Sequence, residues 1–113
     1  MKHIIAYIKP HRLSKVTLSL HKLEGLSGMS VIDIRGFGRG RGENEPHRIV
    51  EDLVDYIPHV KIEIFCKDDM SEEITSIIEK EAHTGLRGDG KIYITDVCEA
   101  VRISSGERGE DAV

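Results

Sequence analysis

The stretch HVKIEIFCK, residues 59–67, alternates apolar and polar side chains along its length. Its apolar positions recur at every second residue: Val60, Ile62, Ile64 and Cys66. The intervening positions, which lie on the opposite side of an extended chain, are Lys61, Glu63 and Phe65. This period of two predicts a β-strand that buries one face.

The same arrangement occurs 58 positions earlier in the chain. The short apolar run HIIAYIK, residues 3–9, stops at Pro10 and predicts another strand. Five apolar residues of the first half coincide with apolar residues of the second at this spacing: Ile4 with Ile62, Ala6 with Ile64, Ile8 with Cys66, Val16 with Ile74, and Leu20 with Ile78. The chain therefore predicts a duplicated β-α-β unit.

The remaining elements complete the two halves. Residues 12–26 have apolar side chains at helical spacing, with Gly25 or Gly28 available to end the helix. A second helix is predicted over residues 68–83, with Asp69 or Ser71 as its N-cap. Further strands are predicted at 29–36 and 91–97, and a short extended segment at 100–103.

The order β-α-β, loop, β-α-β predicts a ferredoxin-like α+β fold, with two helices on one face of a four-stranded sheet. Because two helices cover only one face, the other face needs a partner, and we expect an oligomer built on sheet faces.

Composition narrows the class of protein. The 113 residues predict a single domain, 1–113, and the net charge of −4 with 4% aromatic residues argues against nucleic-acid binding. Cys66 and Cys98 lie in separate apolar stretches and are expected to be small buried side chains. The sequence shows no signal peptide and no membrane span, which predicts a cytoplasmic protein.

Two glycine runs interrupt this pattern: RGFGRGRG, residues 35–42, and TGLRGDG, residues 84–90. Taken singly, each is typical of a turn or a mobile loop. Together, at one edge of the predicted sheet, they can offer unobstructed backbone N–H groups to phosphate oxygens. The cations around them are Arg39, Arg41, Arg87, Lys91 and Arg102. This charge, in a chain that is acidic overall, predicts a small anionic ligand.

Four segments in this order resemble the PII signal-transduction family over essentially the whole chain. They are IIAYIKP at 4–10, GMSVIDIRGFGRGRG at 28–42, VDYIPHVKIEI at 54–64, and TGLRGDGKIYITDV at 84–97 with the tail to residue 113. The resemblance implies a homotrimeric regulatory protein without catalytic residues, binding ATP or ADP in clefts between subunits. It also implies a T-loop, about residues 38–55, that docks on a target protein, and a C-terminal tail over about 100–113.

The resemblance assigns two sets of nucleotide-binding residues. One subunit is expected to place Ile8, Glu63 and Phe65 beside the adenosine, and to approach the phosphates and T-loop base with Gly36, Gly38, Arg39, Gly88, Asp89, Gly90 and Lys91. The adjacent subunit is expected to complete the cleft with Gly28, Met29, Ser30 and Arg102. The T-loop residues expected to face a target, a membrane transporter or metabolic enzyme, are Arg48, Glu51 and Asp52.

Six positions depart from the family pattern, among them Leu86 in place of a lysine and Tyr93 in place of Phe or Trp, and the other four bear on effectors and modification. Gly40 stands where a glutamine helps to hold Mg²⁺ and 2-oxoglutarate, and His59 stands where a lysine pairs with the 2-oxoglutarate carboxylate. Asp52 replaces the modified T-loop tyrosine, and Ser104 replaces a phosphate-facing arginine. We therefore expect 2-oxoglutarate sensing and T-loop uridylylation to be lost, and phosphate selectivity to be altered. The preference among ATP, ADP and AMP, and the need for Mg²⁺, are left open.

Two other classes of function compete with this reading. A weak nucleotide hydrolase would need a general base such as His83, Asp89 or Glu63 beside the glycine runs. A metal- or anion-responsive regulator linked to a transport system would draw on His47 and His59, with Glu45 or Glu51 nearby. The long loop between the two halves is typical either of a functional loop that orders on binding a ligand or partner, or of a disordered insertion.

Overall fold

The structure is a computed structural model that describes residues 1–38 and 56–113. Within these residues, four strands form one sheet and two α-helices pack on it. The strands are β1 (Lys2–Ile8), β2 (Ser30–Gly36), β3 (Ile57–Cys66) and β4 (Lys91–Asp96). The helices are α1 (Leu13–His21) and α2 (Asp68–Ala82), and 3₁₀ turns cover Pro10–Arg12 and Gly109–Ala112.

The sheet has the strand order β2-β3-β1-β4, and every neighbouring pair is antiparallel. Ile4 in the central strand β1 pairs with Ile64 of β3 on one side and with Ile94 of β4 on the other. The two β-α-β units therefore interleave their strands, which confirms the predicted ferredoxin-like α+β fold.

The duplicated positions form the core. Each of the ten side chains that are related by the spacing of 58 is at most 3% exposed, and all ten belong to one cluster with Val60 and Ala82. Burial of a Leu or Ile side chain contributes about 1.5–3 kcal/mol. The largest contributions to folding stability therefore come from corresponding positions of the two halves.

Two predictions about local structure were wrong. Helix α2 begins at Asp68 after an extended Lys67, so Asp69 and Ser71 lie inside the first turn instead of capping it. The Met1 ammonium, 2.7 Å from Asp68 Oδ1, pairs with the first residue of this helix. Cys66 is buried as predicted, but Cys98 is exposed because β4 ends at Asp96 and the chain has left the sheet by residue 98.

The helix-free face of the sheet carries large apolar and aromatic side chains. Phe65 is 48% exposed and stacks on the His3 ring with centroids 4.3 Å apart. Tyr93 is 50% exposed and meets Tyr7 edge to face at 6.2 Å. This is the face on which we expect subunits to associate, and the homotrimer stays a prediction.

Neither helix of the described chain combines the length and the apolar character that crossing a bilayer requires.

Candidate functional site

Both glycine runs leave the sheet at the same end. Gly36, the last residue of β2, pairs with Ile57, and Ile8, the last residue of β1, pairs with Val60. Lys91, the first residue of β4, pairs with Tyr7. The residues that share this end, which we call the glycine end, are Ile8, Gly36, Gly38, Gly88, Asp89, Gly90 and Lys91. The two runs emerge there from the two edge strands of the sheet.

A cleft of about 370 Å³ opens at the glycine end between α2 and the ends of β1 and β4. Its apolar lining comes from Ile8, Ile78, Ala82 and Ile92. Its polar lining comes from Thr75, Glu79, His83, Asp89 and Lys91. An apolar wall with a few polar groups at its rim is typical of a small-molecule site, and the volume is in the range of such sites.

Gly90 fixes how the second glycine run meets the sheet. Its φ is +104°, and a Cβ built there would lie 1.6 Å from the Tyr7 carbonyl oxygen. No side chain fits between these two backbones, so a glycine is required. This close approach sets Lys91 at the start of β4 directly beside the end of β1.

The Asp89 carboxylate is turned into its own loop. Its Oδ2 accepts hydrogen bonds from the Thr84 N–H at 2.9 Å and the Gly85 N–H at 3.3 Å. Its Oδ1 accepts the Thr84 hydroxyl proton and lies 3.2 Å from Lys9 Nζ. Donation by Thr84, from the hydroxyl first and the N–H next, holds the pKa of Asp89 well below its usual range. We call this set of four residues, Lys9, Thr84, Gly85 and Asp89, the Asp89 clasp.

The clasp makes stability depend on pH. Because the pKa of Asp89 is lower in the folded state than the value of about 3.9 for an unfolded chain, its contribution is complete above that value. The contribution is lost progressively as the pH falls below about 4. We expect Asp89→Asn to unfold several degrees below the unsubstituted protein at pH 7, and the difference to shrink between pH 4 and pH 2. Thermal unfolding across this range measures it.

The matched control is Asp33→Asn, which removes an exposed carboxylate of β2 without a partner among the described hydrogen bonds. It should leave the unfolding temperature within about a degree of the unsubstituted protein. A deficit for Asp89→Asn that stayed constant from pH 7 to pH 2 would contradict the assignment of the clasp.

The other predicted nucleotide residues lie toward the opposite end of the sheet. Ser30, the first residue of β2, pairs with Glu63, and Phe65 lies two residues farther along β3. We call this set, with Gly28, Met29 and Arg102, the tail end. The Ile8 side chain is buried in the helix-covered core, whereas Glu63 and Phe65 alternate with the buried residues of β3 and face the helix-free side. The expected grouping of Ile8 with Glu63 and Phe65 therefore does not occur within one chain.

Arg102 belongs to a folded tail that starts beyond the end of β4. The Val97 N–H donates to the Met1 carbonyl oxygen at 3.1 Å and holds the tail against the start of β1. The Arg102 guanidinium donates to Glu107 Oε1 at 3.3 Å and to the Asp111 carbonyl oxygen at 3.0 Å. Lys91 is thus the first residue of β4, and Arg102 belongs to the tail that follows its last residue.

Several predicted residues fall outside the described part of the chain: Arg39, Gly40, Arg41, Glu45, His47, Arg48, Glu51 and Asp52. Their roles stay predictions. His59 is described, and its Nδ1–H donates to the Ile57 carbonyl oxygen at 3.2 Å. Within residues 1–38 and 56–113, no group of three or more His, Cys, Asp or Glu side chains could hold a metal ion.

The structure also adds residues that the sequence reading did not assign. Glu79 and Thr75 line the cleft from α2, one and two turns before His83 respectively. The sequence pattern that could have identified them is their spacing of four residues, which places 75, 79 and 83 on one helix face. Lys9 and Thr84 are the other additions, and no pattern in the sequence links them to Asp89.

The β2-β3-β1-β4 sheet has both helices on one face, and the glycine turn packs against its central strand, which defines a small ferredoxin-like α+β domain. The chain belongs to the nitrogen regulatory protein P-II family, whose model matches residues 1–107. Members of this family are regulatory signalling proteins and not enzymes, in agreement with the sequence-based prediction.

Individual relatives support the assignment over the full length. The nitrogen regulatory protein P-II of Azospirillum brasilense is 46% identical over 113 residues, which is all of both chains. That of Rhodospirillum rubrum is 45% identical over the same extent. Among solved structures, Arabidopsis thaliana PII bound to citrate has a TM-score of 0.80 and 36% identity, covering 99% of this chain and 91% of that one.

Proposed function

We propose that this protein is a P-II regulator that binds an adenine nucleotide, ATP or ADP, in clefts between the subunits of a homotrimer. The T-loop, about residues 38–55, then controls a target protein, which is a membrane transporter or a metabolic enzyme. The observation that carries the proposal is that the predicted binding residues fall into two groups, one at the glycine end and one at the tail end of the same sheet. A site that needs both groups must draw them from two chains.

The glycine end supplies the phosphate half of this site. Gly88 and Gly90 have φ values of +80° and +104°, and so expose backbone without Cβ atoms. Arg87 and Lys91 are exposed and make no ion pair with another described residue. Glycine backbone beside uncompensated cations suits a polyphosphate, because charge-assisted hydrogen bonds to phosphate are among the strongest.

The tail end supplies the other half. Five strand steps separate Lys91 from Asp96, roughly 17 Å, and Arg102 follows Asp96 in a tail that Val97 holds against the start of β1. This distance is too long for both cations of one chain to reach the same phosphate group. We therefore assign Gly28, Met29, Ser30, Glu63, Phe65 and Arg102 to the subunit that completes the cleft. This assignment keeps Glu63 and Phe65 beside Ser30, as the strand register has them.

The second effector is proposed to differ from that of the usual family member. Gly40 offers no side chain to a metal or to 2-oxoglutarate, and His59 replaces a cation with an imidazole whose Nδ1–H is used by Ile57. Asp52 cannot be uridylylated. Ser104, in the tail, stands where the family has a phosphate-facing arginine, and should reduce the preference for a triphosphate.

A second candidate is a regulator that responds to another anion. The Arabidopsis thaliana PII is bound to citrate in its crystal structure, so a small polycarboxylate binds at least that relative. The metal-responsive alternative rests on His47, outside the described residues, and His59. Nucleotide hydrolysis through Asp89 is disfavoured, because its carboxylate is already saturated by donors within the clasp.

Calorimetric titration with ATP, ADP and AMP, with and without Mg²⁺ and then with 2-oxoglutarate or citrate added, tests the proposal. We expect micromolar binding of ATP or ADP and no tightening by 2-oxoglutarate. Absence of binding by all three nucleotides would refute the proposed site. A tenfold or greater tightening by 2-oxoglutarate would show that the substitutions at 40 and 59 were misread.

A further inference from the structure

We propose that Lys9 is a positioning residue that shapes the phosphate-binding turn through Asp89 and Thr84, and that it does not bind the nucleotide itself. This inference rests on the proposed function, because the turn in question is the one assigned to the phosphates. It also changes the role of Asp89, which acts as the anchor of the turn and not as a ligand-contacting group.

The position of the Lys9 ammonium group is the first observation. Lys9 directly follows β1, and its Nζ lies 3.1 Å from Thr84 Oγ1 and 3.2 Å from Asp89 Oδ1. The two charged side chains are only 18% and 25% exposed. Its stem runs beneath the turn, since a Cβ built on Gly88 would lie 3.8 Å from Lys9 Cε. The positive charge of Lys9 is therefore turned inward and already paired.

Thr84 links the three segments that meet here. Its hydroxyl donates to Asp89, and its oxygen accepts hydrogen bonds from Lys9 Nζ and from the Leu86 N–H at 3.1 Å. Hydrogen bonds to Thr84 Oγ1 and Asp89 Oδ1 thereby join the end of β1, the residues after α2 and the start of the glycine turn. Because Lys9, Thr84, Gly85 and Leu86 all donate to these two side chains, the first part of the glycine turn is fixed before a ligand arrives. A fixed backbone lowers the entropy cost of binding.

Lys9 also controls the charge of the turn. Asp89 is an anion within the segment that is assigned to phosphate, and an unpaired carboxylate there would repel the ligand. The groups that face it are Lys9 from the end of β1 and His83, whose Nδ1 is 3.4 Å from Asp89 Oδ2, from the end of α2. Removing Lys9 therefore loosens the turn and unmasks the carboxylate, and both effects weaken binding.

A double-mutant cycle with Lys9→Met and Asp89→Asn separates positioning from direct contact. We expect Lys9→Met to weaken ATP binding about tenfold, and the double variant to bind no more weakly than Asp89→Asn alone, because coupled residues are not additive. Independent contacts to phosphate would instead multiply, giving a loss of about a hundredfold in the double variant. That result, or an unchanged affinity in Lys9→Met, would overturn the proposal. Lys15→Met, on exposed α1 surface, is the matched control.

Amide hydrogen exchange of the nucleotide-free protein gives a readout that does not depend on ATP. In Lys9→Met, the N–H groups of Thr84 and Gly85, which donate to Asp89, should exchange about tenfold faster. Unchanged exchange would refute the positioning role even if affinity fell. If the unsubstituted protein failed to bind any nucleotide, the proposed function would fall, and the exchange result would still decide whether Lys9 orders the turn.

Discussion

Replacing Gly90 with alanine is expected to lower the free energy of unfolding by about 3–5 kcal/mol, an exceptional loss for one methyl group. The new Cβ would lie 1.6 Å from the Tyr7 carbonyl oxygen and 2.7 Å from the Tyr7 carbonyl carbon, at a φ of +104°. Tyr7 is in the central strand and is paired on both sides, so its backbone cannot move away without breaking the ladder. For a domain of this size, the unfolding temperature should fall by more than about 10 °C.

The matched control is Gly106→Ala. Gly106 also has a positive φ, +74°, but nothing lies within 4 Å of a Cβ built there. The Gly106→Ala variant is therefore destabilised only by the strain of the left-handed backbone, about 1 kcal/mol. Chemical denaturation of both variants separates the clash from the strain. Equal losses in the two variants would show that β1 yields to the extra methyl group and that the close approach is not a requirement.

The part of the fold that repeats could be predicted from the sequence. Alternation over 59–67 and the spacing of 58 depend only on which side chains are apolar, and burial of apolar surface decides the core. The pairs Ile4 with Ile62 and Leu20 with Ile78 therefore lie in the core, as predicted. The helix-free face followed from the same pattern, since two helices cannot cover both sides of a sheet.

Features that depend on tertiary neighbours could not be predicted in this way. Helix α2 starts at Asp68, whose partner is the Met1 ammonium at the beginning of the first half of the chain. Cys98 lies in an apolar stretch, but the strand that would have buried it ends two residues earlier. Neither the partner of a cap nor the last paired residue of an edge strand is set by local propensity.

The candidate site shows the same division. Glycine content and basic residues predicted an anion-binding end, and the register of the strands brings Gly36 and Lys91 to one end of the sheet. The sequence did not show that Asp89 faces inward, because an Asp between two glycines reads equally well as ligand-facing. It also did not separate Ile8 from Glu63 and Phe65, since this needs the side of the sheet on which each side chain lies.

Lys91→Ala and Arg102→Ala are each expected to weaken ATP binding about tenfold to a hundredfold, because each removes a charge-assisted contact to phosphate. Lys80→Ala, which removes an exposed cation of α2 away from the cleft, should bind like the unsubstituted protein. Calorimetry on the three variants measures the losses. An equal small loss in all three would indicate a general charge effect and no specific phosphate contact.

Mixed oligomers of the Lys91→Ala and Arg102→Ala chains test most directly whether one site is built from two subunits. In a random equal mixture, about a quarter of the clefts would combine an intact Lys91 from one chain with an intact Arg102 from its neighbour. We predict that calorimetry recovers about that fraction of sites at the unsubstituted affinity, although each variant alone binds weakly. No recovery in verified mixed oligomers would contradict the shared site and place both cations, or neither, on the nucleotide from a single chain.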